Sequence, residues 1–109
     1  MTIRLFVASL LLFLLLDAAW FAVSTVYPPL NTSVKRVVVG GGLAWIALAL
    51  GQAYFVRSVT DGFLFGLVVY AVFNGTEHAI RNDWGASVML YDTAWGCFTN
   101  TLIAALLHG

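Results

Sequence analysis

The sequence predicts an all-α integral membrane bundle of four transmembrane helices joined by short loops. Three observations carry that prediction. The chain of 109 residues is 61% hydrophobic and only 9% charged, whereas soluble domains carry about 25% charged residues. Its mean hydropathy is +0.94. Its apolar residues fall into four runs, each close to the ~20 residues that a bilayer core requires. The expected organisation is one domain, residues 1–109, with spans near residues 3–26, 37–56, 62–80 and 86–107.

The first run, Ile3 to Val26, also has the look of a secretory signal, with Arg4 ahead of a leucine-rich stretch. We read it as a retained span. Between Leu5 and Val26 there are seven Leu, three Phe and three Val. At roughly −0.4 kcal/mol each they outweigh the ~+3 kcal/mol of the single embedded Asp17. Tyr27-Pro28-Pro29 is expected to end this span, because proline lacks a backbone donor and restricts the residue before it. Asn31-Thr32-Ser33 reads as loop, with Ser33 a candidate N-cap.

Span two, Val37 to Val56, contains Trp45 and Gln52. Its Gly40-Gly41-Gly42 patch suits helix packing better than a linker. The short connection from Arg57 to Asp61 predicts that spans two and three are antiparallel neighbours. In span three Gly66, Tyr70, Asn74 and Glu77 recur at helical spacing, a polar stripe that should point inward. Arg81 to Gly85 reads as a hydrated turn, with Asp83 a candidate cap and Trp84 an interface anchor. Span four, Ala86 to Leu107, has four Leu, one Ile, one Val and one Phe. Their ~−3 kcal/mol is cancelled by Asp92 alone, so this helix needs partners.

The informative segment is Met89–Asn100, which reads MLYDTAWGCFTN. Its Asp92-x-x-Trp95 repeats the Asp17-x-x-Trp20 of the first run. A carboxylate deep in lipid costs about 2.5–3.5 kcal/mol and normally faces protein, water or a ligand. Counted at ~1.5 Å per residue, Asp17, Asn74, Glu77 and Asp92 all lie within ~5–15 Å of the membrane side that bears the Tyr27 and Arg81 loops. The expectation is one buried polar cluster of Asp17, Trp20, Asn74, Glu77, Asp92 and Trp95, with Gln52 outside it. Tyr27 and Tyr91 read as packing or interface residues.

Several chemistries find no support. Gly85-Ala86-Ser87-Val88 lacks the second glycine of a nucleophile elbow. Cys97 forms no nucleophile–base set with Thr99 and Asn100. Glu77 and His78 are adjacent, not three apart as in carboxylate di-metal bundles, so no metal ligands and no cofactor are expected. A lone His78 could ligate a porphyrin metal, but a hydrogen-bonded histidine is the plainer reading. Five basic and five acidic residues balance, which argues against a nucleic-acid partner. Arg4 and Arg57 against Lys35, Arg36 and Arg81 give no usable orientation.

Asp17-x-x-Trp20 with Tyr27, Gly66-Leu67-x-x-Tyr70-Ala71 and Asp92-x-Ala94-Trp95-Gly96 resemble the predicted membrane proteins of domain-of-unknown-function family twenty-one seventy-seven. That resemblance implies four spans and no assigned activity. Where the family shows Tyr-Asp-x-Thr-Asn in span three, this chain has Phe73-Asn74-Gly75-Thr76-Glu77, with acid and amide exchanged. The family's Trp-Pro in the last turn is Trp84-Gly85 here.

Three functions compete. The first is a non-enzymatic accessory or scaffold subunit, partnered by the lipid bilayer and by other membrane subunits or its own copies. The second is a small proton- or cation-coupled transporter using Asp17 and Asp92. The third is a membrane enzyme employing Asp17, Glu77 and Asp92 as acid and base. The absence of any catalytic set favours the first.

Overall fold

The computed structural model describes residues 3–108, which form four helices. These are α1 (Ile3–Val23), α2 (Val34–Tyr54), α3 (Val59–Ile80) and α4 (Ala86–His108). Among them α1, α2 and α3 are long and apolar enough to cross a membrane. α4 has the length, at 23 residues, but its embedded Asp92, Thr99 and Asn100 keep it out of that set.

Capping explains where the helix ends depart from the hydropathy boundaries. α1 stops at Val23, five residues before Pro28, because Ser24 turns the chain by accepting the Val26 N–H on its hydroxyl at 3.4 Å. A serine that offers such a local bond competes with the helix ladder. α2 begins at Val34, not Val37, directly behind Ser33, whose Oγ accepts the Arg36 N–H at 3.2 Å. α3 begins at Val59, not Gly62. Ser58 Oγ accepts the Asp61 N–H and Asp61 Oδ2 accepts the Arg57 N–H, both at 3.1 Å. Such reciprocal capping satisfies two otherwise orphaned donors. Asp83 is not the expected cap, since Arg81 occupies both of its oxygens at 2.9 Å.

The helices pair as two hairpins, α1 with α2 and α3 with α4. The α3–α4 seam is the tight one. A Cβ on Gly62 would lie 2.5 Å from Ala104 Cβ, and one on Gly66 would lie 2.5 Å from the Gly96 carbonyl oxygen. One on Gly96 would strike the Tyr70 ring. Gly62-x-x-x-Gly66 thus lets two backbones approach as small residues do in membranes. Gly40 and Gly42 have nothing within 4 Å of their Cβ positions. No other described helix therefore stands over those two positions.

α4 is the hub. Its buried face is Val88, Asp92, Gly96, Thr99, Asn100, Ile103 and Ala104, and it touches α1 and α2 as well as α3. Phe13, Leu48 and Ile103, one each from α1, α2 and α4, form the apolar core. Large apolar side chains such as Leu11, Leu15, Val38, Val68 and Leu90 point outward. A bilayer accepts such a surface and water does not.

Despite their short connection, α2 and α3 are not packed neighbours. They meet where the Phe65 ring covers Gly51, and beyond that point they diverge. The reason is that α3 spends its glycine face on α4. A lateral cleft of about 480 Å³ remains between α2 and α3.

Candidate functional site

Asp17 and Asp92 are each 6% exposed and Asn74 is fully buried. Each acid sits six residues from its helix end on the same side, Asp17 before Val23 and Asp92 after Ala86. That places both about 9 Å in from those ends.

Asp17 is held by two tryptophans from two other helices. Trp45 Nε1–H donates to Oδ2 and Trp95 Nε1–H donates to Oδ1, both at 2.7 Å. One carboxylate thereby ties α1 to α2 and α4. Asp92 is held by Asn74 Nδ2–H on Oδ2 at 2.7 Å and by the Tyr27 hydroxyl on Oδ1. Tyr27 in turn accepts from Trp20 Nε1–H at 2.6 Å. Asn74 Oδ1 accepts from Trp84 Nε1–H at 3.0 Å.

The chain contains four tryptophans, and every one of their indole N–H groups enters this network. The rings add contacts of their own. Trp20 stacks on Trp95 at 4.6 Å, and Tyr27 lies 6.0 Å from Trp84. Aromatic pairs at such separations contribute roughly 0.5–1.5 kcal/mol beyond area burial.

Five of the six residues expected in one cluster are therefore in it: Asp17, Trp20, Asn74, Asp92 and Trp95. Glu77 is not. It lies at the end of α3 and takes an ion pair from Arg81, four residues on, at 3.3 Å. Arg81 also grips Asp83, holding the Asp83 carboxyl below the usual carboxylate range through its hydrogen bonds, and covers the Trp84 ring at 5.2 Å. Trp84 is 7% exposed, so it is a buried network member and not an interface anchor. Tyr27 is the other member that sequence reasoning undervalued. Burial, and next the Asp92 carboxylate, push its hydroxyl well above the usual phenol range, so it remains a donor.

His78 Nδ1 lies 2.7 Å from the Trp84 carbonyl oxygen, so this residue is hydrogen-bonded at the end of α3. Gln52 forms a separate buried node. Its Nε2 donates to the Asn100 backbone oxygen at 2.9 Å and to Asn100 Oδ1 at 3.0 Å, joining α2 to α4. Gln52 Oε1 and Ser9 Oγ are buried without a partner among the described residues.

The α2–α3 cleft opens onto this network. Its walls are apolar, from Gly41, Ala44, Ala47 and Leu48 on α2 to Phe65, Val69 and Phe73 on α3. Asp17, Asp92 and Trp95 form its floor. No described basic side chain lines it. As chemistry, the acids are hydrogen-bond acceptors in an apolar setting.

Residues 30–108 match the family model described as Predicted membrane protein (DUF2177). The matched stretch covers α2, α3 and α4 and begins beyond Asp17, Trp20 and Tyr27. No curated protein and no solved structure matches the chain.

Proposed function

The chain belongs to this DUF2177 family of predicted membrane proteins, and from that premise we propose that it is a four-span, non-enzymatic accessory subunit. It works by packing against other membrane chains or against its own copies. α4 serves as the fourth span in this reading. Its polar residues Asp92, Thr99 and Asn100 are buried against the other helices, so the cost of placing them in hydrocarbon is removed.

The single observation that carries the reading is the vacant triglycine patch. Gly40 and Gly42 lie on an apolar helix with nothing within 4 Å of their Cβ positions. Small residues on a membrane helix permit close approach by a second helix, and hydrocarbon contact alone gives no reason for them. Each oxygen of Asp17 and of Asp92 accepts a bond from another part of the bundle, which supports a structural role for the acids over an acid–base one.

The test is native mass measurement of gently solubilised protein. An oligomer or hetero-complex that dissociates in Gly40→Leu or Gly42→Leu supports the reading. A lone monomer at every detergent ratio contradicts it.

A second reading, a proton- or cation-coupled carrier, is favoured by one observation: both acids face an open cleft. Replacing Asp17 and Asp92 together by Asn should then abolish pH-dependent uptake into proteoliposomes, and unchanged flux would dispose of it.

A further inference from the structure

The two carboxylates on the cleft floor have neutral partners only. Asp17 takes two indole N–H groups, and Asp92 takes a carboxamide and a phenol. A carboxylate offers about four acceptor positions across its two oxygens. Each acid therefore retains acceptor capacity beyond the two bonds it takes.

Basic side chains are remote from this floor. Lys35 and Arg36 stand at the start of α2, Arg57 in the α2–α3 connection and Arg81 beyond α3, and none lines the cleft. Arg81 is already committed to Glu77 and Asp83. Two acids in an apolar cleft that no described basic side chain lines are an electrostatic deficit. Buried charge is normally paired.

The shape of the cleft narrows what could fill it. At about 480 Å³ it falls within the ~300–1,000 Å³ of small-molecule sites. Its lining comes from the four helices and Phe55, with no residue of the α1–α2 or α3–α4 loops. The acids lie near one end, about 9 Å in from the helix termini. The apolar walls continue past them to the crossing of Phe65 over Gly51. A phospholipid headgroup stays at the interface, whereas a single amine on an alkyl chain can be drawn down to the level of the acids.

From this we propose that the α2–α3 cleft binds a single-chain amphiphile with a primary ammonium head. The head meets Asp17 and Asp92, and the tail lies between Leu48 and Ala47 on one wall and Phe65 and Val69 on the other. The proposal goes beyond the association reading and does not depend on it. It also survives if flux is absent, because it concerns equilibrium occupancy.

The experiment uses the full chain in phosphatidylcholine nanodiscs. Three probes share one tail and differ in head charge: dodecylamine, dodecanol and dodecyl sulfate. Binding is read from Trp45 and Trp95 fluorescence and by equilibrium dialysis, with empty discs subtracted for partitioning. The expected result is saturable 1:1 binding of dodecylamine alone. It should be lost in Ala47→Trp, where an exposed wall residue is enlarged to fill the cleft, and weakened at least tenfold in Asp92→Asn or Asp17→Asn.

Ala47→Trp touches no core contact, so it remains decisive should an acid variant fail to fold. Equal binding of dodecanol or dodecyl sulfate would overturn the proposal, as would dodecylamine binding that persists in Ala47→Trp. Full-strength binding in correctly folded acid variants would also overturn it. So would the lack of any saturable component, the result expected if a second copy or another subunit fills the cleft.

Discussion

Trp20 and Trp95 lie face to face, 4.6 Å between ring centroids and 9° between planes, and each serves the acid of the other's segment. Trp95 donates directly to Asp17. Trp20 donates to Tyr27, whose hydroxyl donates to Asp92. The two Asp-x-x-Trp phrases are thus cross-connected, and the α1–α2 hairpin is fastened to α3–α4 at the depth where hydrocarbon would otherwise penalise both acids.

Because one carboxylate serves two indoles, Asp17 should be intolerant of even its amide. In Asp17→Asn the new NH₂ faces an indole N–H, and one donor is orphaned at a cost of about 1–3 kcal/mol. Asp17→Ala orphans both and should be worse. Reversible unfolding in mixed micelles, followed by tryptophan emission, measures the difference.

The glycines should split into two classes. Gly66→Ala places a methyl 2.5 Å from the Gly96 carbonyl oxygen, a backbone atom that cannot swing aside; overpacking of this kind costs about 1–3 kcal/mol. Gly75→Ala meets nothing within 4 Å and should be neutral or stabilising by up to about 1 kcal/mol, the helix-propensity difference. Thermal unfolding of the two variants in one detergent checks the order.

Glu77→Gln should change little. Its ion pair with Arg81 is partly solvent-exposed, with side chains 21% and 36% accessible, and such pairs contribute about 0–1 kcal/mol. A loss as large as that of Asp17→Asn would return Glu77 to the buried cluster.

Tyr27 gives a pH signature. Burial first, and the Asp92 carboxylate second, raise its folded-state pKa above the ~10 of a free phenol. The unfolded chain therefore releases this proton before the folded chain does. The associated stability is complete below about pH 10 and declines as pH rises further. Ultraviolet difference titration against Tyr27→Phe should find no phenolate from this residue at pH 10.

Much of this network was legible in the sequence because helices convert residue number into depth. Counting 1.5 Å per residue brought Asp17, Asn74 and Asp92 to one level, and their placement in separate helices made convergence the cheapest outcome. Glu77 misled because depth counting ignores what lies one turn onward, and Arg81 is four residues away. Tyr27 and Trp84 were undervalued for a different reason. They lie on loops that fold back into the bundle, where no regular rise fixes position. Glycine density does not tell which glycines meet another helix: Gly62 and Gly66 abut α4, whereas Gly40 and Gly42 have open space. The α2–α3 cleft could not be read at all, since a short connection argues for packed neighbours and only the competing α3–α4 seam explains their divergence.

The account rests on Asp17 and Trp95 bonding across the two hairpins, and a double-mutant cycle measures that bond directly. Trp95→Phe removes the indole N–H while keeping an aromatic ring, and Asp17→Ala removes the acceptor. A coupling energy of about 0.6–2 kcal/mol is expected for one hydrogen bond between membrane helices. Strict additivity of the two substitutions would contradict it.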